Sequence, residues 1–215
     1  MHATPDRASC RFLYSAIRTF TGGPTDDGGV DDADFEAALA AAQAGEDWAV
    51  AVLFRDLQPR LLRFLRSQEP RVADDLAAET WLAVATGLAA FNGDEQGFRA
   101  WVFTIARRRL IEHRRRSGRR RTDVAGDEVF ASLPATDRPD RQALERMAAT
   151  DAVALITSLL PAEQAEVVLL RVLGQLPAAE VAEIVGRSEN WVRVTQHRAL
   201  KKLASCFDRV DTGSV

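Results

Sequence analysis

Between Phe98 and Arg121 the chain reads FRAWVFTIARRRLIEHRRRSGRRR, with ten arginines and a single acid, Glu112. This stretch carries +9 in a protein whose formal net charge is −3. On a helix, Thr104, Arg107, Arg108, Ile111 and Arg115 follow i, i+3, i+4, i+7, i+11 spacing and share one face. Phe98, Val102, Ile105 and Ala106 gather on the opposite face, with Trp101 at the border. A cationic stripe with an aromatic edge suits a phosphate backbone and can stack on an unpaired base. The same composition also suits a solvated helix end or a basic targeting run.

A second constellation lies near the other end. Ala178–Val185 has the period of a short helix with Val181, Ile184 and Val185 inward. Gly186 can take the left-handed conformation that ends it, and Ser188 is placed to N-cap a helix starting at Glu189. On that helix Val192, Thr195, Ala199 and Leu203 point one way, and Asn190, Arg193, Val194, His197 and Lys201 the other. A helix entering the major groove needs such an outer side, because Asn and Arg make bidentate contacts to adenine and guanine. An ordinary helical hairpin with a solvated face would read the same way. No second ligand accompanies His197 on its face, so a metal site is not expected there.

The elements that must hold these residues are helical throughout. Segments near 32–44, 47–67, 71–90 and 96–116 have helical period, with Pro59 predicting a bend, Pro70 a boundary and Asn92-Gly93-Asp94 a turn. The expected organisation is a mobile arm over 1–30, a helical domain over 31–116, an acidic linker over 117–143, a second helical domain over 144–207 and a tail over 208–215. The fold class is all-α. Charge divides unevenly: −5 over 1–46, −3 over 47–97, +9 over 98–121, −3 over 122–143 and −1 over 144–215. A sequence pI near 5.7 hides this local maximum. The linker lets the two domains sample many separations.

Composition excludes several function classes. The two cysteines, Cys10 and Cys206, form no CxxC or Cys/His pattern, which argues against a disulfide framework or structural zinc and fits a reducing cytoplasm. No apolar run approaches the roughly 20 residues that span a bilayer, and FLYSAI near the N-terminus is too short for a signal peptide. Asp74, Asp75 and Glu79 form the one acidic cluster, and no His/Asp set accompanies it. A nuclease centre needs more, so the chain is expected to be no enzyme and to hold no cofactor or metal. A stand-alone helix-turn-helix regulator accounts for 178–203 but not for the Asp/Arg content of 72–121.

Together, ADDLAAETWLAVATGLAAF, FRAWVFTIARRRLIEHRRR and LPAEQAEVVLLRVLGQLPAAEVAEIVGRSENWVRVTQHRALKKL resemble regions 2 and 4 of the extracytoplasmic-function sigma factors, the compact members of the bacterial sigma-70 family. The resemblance spans roughly Asp32–Phe207. It implies a promoter-recognition subunit whose partners are core RNA polymerase, promoter DNA and an anti-sigma factor. Asp74, Asp75, Glu79 and Trp81 would dock on the clamp helices of the largest subunit, and the second domain on the flap of the second-largest. Ala78 stands where the family often has Gln. Asn92 and Asp94 fall in the loop that captures a flipped base of the −10 element. Trp101, Thr104, Arg107, Arg108 and Arg115 fall along the melted strand, with Arg108 replacing a frequent Asn. Arg187, Ser188, Asn190, Arg193, Val194, His197 and Lys201 fall on the −35 reader, and Pro177 replaces a frequent Ser. No region 3 and no long acidic first region are found.

Overall fold

The computed structural model describes residues 32–121 and 152–212. The predicted arm over 1–30, the linker from 122 on, the opening of the second domain at 144–151 and Cys10 lie outside the described residues. Among the described residues there are helices and no strand.

Helices α1 (Asp32–Gln43), α2 (Asp47–Gln68), α3 (Ala73–Gly87) and α4 (Glu95–Arg121) build the first unit, with a single 3-10 turn at Leu88–Ala90. Apolar residues recur at helical spacing and meet in one core. Leu53, Leu57, Leu61, Phe64 and Leu65 of α2 are buried against Leu76 and Val84 of α3 and Phe98, Val102, Phe103, Ala106 and Leu110 of α4. Phe64 and Phe103 meet edge to face with centroids 5.5 Å apart, the arrangement that ring quadrupoles favour. Pro59 lies inside α2, which stays one helix through it rather than dividing there. Proline removes one N–H from the ladder, but Pro59 is exposed, so water can serve the freed carbonyl. At the other end α4 continues through Ser117–Arg121, residues expected to open the linker. Arginine is a good helix former and its charge suits the helix C-terminus, which outweighs the cost of Gly118.

The second unit holds α5 (described over 152–159), α6 (Ala162–Leu173), α7 (Ala178–Val185) and α8 (Glu189–Thr212). Helix α8 therefore runs into the expected tail. Val167, Val168, Leu169 and Leu170 of α6 are buried with Leu176, Val181, Ile184, Val192, Ala199 and Leu203. The two units are not separated in space: α2 packs against α6, and α4 packs against α7.

Candidate nucleic-acid and polymerase interfaces

The corner between α7 and α8 follows from two residues. Gly186 adopts φ 68°, ψ 41°. The N–H of Arg187 donates to the Ala182 carbonyl (3.0 Å) and that of Gly186 to the Glu183 carbonyl (3.3 Å). This is the paired C-terminal closure that a left-handed residue permits. The Trp191 N–H donates to Ser188 Oγ at 3.2 Å, so Ser188 caps α8. Pro177 begins α7 with φ −64° and supplies no side-chain cap, as a ring with a preset φ and no hydroxyl must.

From that corner α8 projects Asn190, Arg193, Val194, His197 and Lys201 into solvent while Val192, Thr195, Ala199 and Leu203 are buried. Arg193 lies along its own helix, donating from Nε to Glu189 Oε1 at 3.0 Å. Arg187 sits over the Trp191 ring, 5.3 Å from its centroid, and within 3.7 Å of Glu163. Arg171 of α6 fixes the back of α8 by donating from Nε to Gln196 Oε1 at 3.0 Å and from Nη1 to the Leu176 carbonyl. Burial first, and the Arg193 charge second, pull the Arg171 guanidinium below its ordinary range.

The loop before α4 is also built rather than slack. Gln43 of α1 donates to the carbonyls of Leu88 (3.0 Å) and Phe91 (2.7 Å). Asn92, Gly93 and Asp94 are exposed, and Asp94 Oδ1 accepts the Gly97 N–H at 2.7 Å. Asp94 therefore caps α4, which begins at Glu95. A Cβ on Gly93 would stand 2.9 Å from the Phe91 ring, so a side chain there would have to push that ring aside. Trp101 is half-buried and stacked on Phe91, with centroids 5.0 Å apart and planes at 23°. Its ring also covers Gly87, where a Cβ would approach to 2.8 Å. Thr104 Oγ1 donates to the Ala100 carbonyl at 2.7 Å.

The arginines of α4 whose side chains are described divide into three groups. Arg99 pairs with Glu95 and Asp56, Arg109 with Glu112 at 3.3 Å, and Arg114 with Glu69 at 2.8 Å. Arg108, Arg115 and Arg116 are exposed. Arg107 takes a third path: Nε donates to Glu166 Oε1 at 2.9 Å and Nη1 to the Ile184 carbonyl at 3.1 Å. Both acceptors belong to the second unit. The continuous stripe expected from spacing is thus narrower in this conformation, with Arg116 added and Arg107 turned inward.

On α3, Asp75 and Glu79 are exposed, and Ala78 and Leu82 lie on the same side at helical spacing. Leu82 is 71% exposed, more than any other large apolar residue described. Leu82 closes the Asp74–Leu82 segment that the resemblance assigns to polymerase docking. Asp74 lies beside Arg66 at 3.1 Å. Trp81 is anchored, its Nε1–H donating to Gln58 Oε1 at 2.6 Å and its ring 4.9 Å from that of Phe54. Among the described residues there is no group of three or more His, Cys, Asp or Glu able to hold a metal, and no helix is long and apolar enough to cross a membrane.

Comparison with known proteins supplies the family. Residues 53–120 match Sigma-70 region 2, and residues 150–203 match Sigma-70, region 4. The ECF RNA polymerase sigma factor SigD of Mycobacterium tuberculosis (strain ATCC 25618 / H37Rv) is 33% identical over 174 residues, covering 78% of this chain and 81% of SigD. ShbA, an ECF RNA polymerase sigma factor of Streptomyces griseus subsp. griseus, is 32% identical over 182 residues, covering 80% of this chain and 95% of ShbA. CnrH, solved in complex with the cytosolic domain of CnrY, shares the fold with a TM-score of 0.52 at 23% identity, over 80% of this chain and 96% of CnrH. With both regions in order on an all-α scaffold, and relatives at this identity spanning most of both chains, the chain belongs to the extracytoplasmic-function sigma factors of the sigma-70 family.

Proposed function

We propose that this alternative sigma factor binds core RNA polymerase through the exposed face of α3 and directs it to promoters with two differently read elements. Helix α8 reads the −35 element in the major groove through Asn190, Arg193, Val194, His197 and Lys201, with Arg187 and Ser188 at its start. The loop at Asn92 and Asp94, with Arg108, Arg115 and the Trp101 edge, meets the unpaired −10 strand. Asp75, Glu79 and Leu82 present acid around an apolar point, and this is the face assigned to the clamp helices. Asp74 and Trp81 flank that face, and the second unit would engage the flap. An anti-sigma factor and a cytoplasmic location follow from the family reading.

The single observation that carries this reading is α8: its side chains separate into a buried row and a polar outer row at the spacing a major-groove helix needs. The test is in vitro transcription with sigma-free core polymerase. Promoter-dependent transcripts are expected from the wild type. The pair of reversals Asp75→Lys and Glu79→Lys should weaken core binding in a pull-down titration without unfolding the chain, since surface substitutions shift stability by about 0.5 kcal/mol or less. Unchanged affinity for core would remove the α3 assignment. Nanomolar, sequence-specific duplex binding by the protein alone would favour the stand-alone regulator instead.

A further inference from the structure

Helix α1 carries none of the side chains proposed to meet DNA or polymerase, yet it supports the loop of Asn92 and Asp94 at two points. The first is Gln43, the last residue of α1. Its side-chain Nε2 donates to the Leu88 carbonyl at 3.0 Å and to the Phe91 carbonyl at 2.7 Å. These carbonyls bound the place where the chain leaves α3: the 3-10 turn spans Leu88–Ala90, and Phe91 is already extended at φ −68°, ψ 134°. Carbonyls at a helix end run out of intrahelical donors, and a glutamine amide nitrogen has two hydrogens to offer. The second point is Phe35, near the other end of α1. Phe35 is buried against Phe98, with centroids 5.7 Å apart, and Phe98 meets the Phe91 ring edge to face at 5.5 Å. Phe91 is thus held by its carbonyl from one end of α1 and, through Phe98, by its ring from the other. Exposed Asn92 and Gly93 follow, and Asp94 closes the loop on the Gly97 N–H at 2.7 Å.

We propose that α1 is a brace for the strand-capturing loop, and that Gln43 is a positioning residue for recognition of the −10 element. This rests on the reading that Asn92 and Asp94 meet the unpaired strand, and adds what fixes their geometry. A short segment between two fixed ends samples few conformations. Releasing one end multiplies them, and binding a base must then order the segment again. A release that leaves the competent conformation populated about one-fifth of the time weakens capture about fivefold. The loss is confined to contacts made by the loop. Phosphate contacts of Arg108 and Arg115 and the −35 contacts of α8 do not pass through Gln43. Loosening the brace therefore lowers discrimination for a base rather than binding as such.

The experiment uses holoenzyme reconstituted from the full chain and core polymerase. The probe is a fluorescein-labelled promoter duplex, one that the holoenzyme transcribes, with its −10 region premelted. Each non-template base of the −10 element is replaced in turn by an abasic site. The quantity read is the ratio of affinities with and without the base at the most sensitive position. Gln43→Glu keeps the side-chain shape and removes both donor hydrogens. It should lower that ratio about fivefold, while affinity for the abasic probe stays within about twofold of wild type. Gln43→Met keeps the length without donor or charge; it should behave alike, and it carries the test if Gln43→Glu does not fold by circular dichroism. A wild-type ratio in a folded Gln43 variant would overturn the brace. So would an equal fall in affinity for the base-bearing and abasic probes, which is what a merely structural role gives. Asn92→Ala separates this idea from the reading beneath it. If Asn92→Ala lowers the ratio and the Gln43 variants do not, the brace fails and the loop reading stands. If Asn92→Ala leaves the ratio unchanged, the loop reading fails and the brace falls with it.

Discussion

Helices α4 and α8 both carry the side chains proposed to meet DNA, yet they treat charge in opposite ways. On α8 the outer row is already in solvent, and Arg193 is engaged only with Glu189 one turn away on the same helix. Such an exposed i, i+4 pair is worth a few tenths of a kcal/mol, so DNA can displace it at little cost. On α4 three arginines reach other elements: Arg99 meets Asp56 and Arg114 meets Glu69 of α2, and Arg107 meets Glu166 of α6. A duplex reader can be left ready because duplex DNA is always present. A strand reader faces a substrate that exists only after melting; of the arginines assigned to it, Arg107 is engaged across the molecule while Arg108 and Arg115 stay exposed. The difference lies in packing, since both helices carry comparable outer-face patterns in sequence.

The largest expected effect separates the inner faces from the outer ones. Phe103 is fully buried against Phe64, so Phe103→Ala should cost about 3–5 kcal/mol in urea unfolding. Val194→Ala, on the outer row of α8, should stay within about 0.5 kcal/mol. A comparable loss at both positions would mean that α8 is buried in solution, and the contrast between the two helices would disappear.

Next in size is the division of labour. Arg193→Ala should lose on the order of 1–3 kcal/mol at one −35 base pair, if the contact is bidentate to guanine, and little elsewhere. Arg107→Ala should weaken opening evenly across promoters. Transcription from a panel of promoters with single −35 substitutions reads both variants. Were both to lose the same promoters in the same rank order, the two helices would not be separate readers.

How far the sequence showed all this depends on the distance over which each feature is decided. Gly186 and Ser188 act on neighbours within five residues, so the α7–α8 corner and the two faces of α8 could be read in advance. The contacts that set Arg107 apart could not. Glu166 lies 59 positions away and Ile184 77, and periodicity says only that Arg107 is on a face, never what covers that face. The same holds for Trp101, where a border position on a helical wheel was compatible with stacking on a base. The packing of its ring on Phe91 and against Gly87 is likewise set by residues that periodicity does not place. Leu82 lies at the end of the Asp74–Leu82 segment singled out by resemblance, but its exposure is set by packing and not by its type.

The corner itself gives a third prediction. Ser188→Ala removes the one side-chain acceptor at the start of α8 and should cost about 1 kcal/mol, within a range of roughly 0.5–2. Thermal unfolding should show this, with a matching fall in −35 binding as the first turn frays. A cap loss that lowered stability but left −35 recognition untouched would show that the first turn of α8 is not part of the reader.

The smallest effect concerns the boundary between the halves. Glu180 of α7 is pushed above its ordinary pKa of 4.5, first by burial, then by Glu183 on the same helix, and then by Asp94 in the loop before α4. The Asp94 contribution comes from the other half of the molecule, while Arg107 of α4 sits at the far end of α7, on the Ile184 carbonyl. The sign follows from proton uptake. A carboxyl whose pKa is raised in the docked state binds more protons there than when apart, so docking is penalised above the raised pKa and the penalty disappears as pH falls through it. The Asp94–Glu180 contribution to docking should therefore become less unfavourable as pH drops from neutral toward the carboxylate range. Because Glu180 is only half-buried, solvent screening keeps the change small. Glu180→Gln should tighten docking slightly at neutral pH and flatten that trend, read by small-angle scattering across a pH series at constant salt. A variant whose pH trend matched the wild type would assign the sensitivity to other carboxylates and remove Glu180 from the boundary's electrostatics.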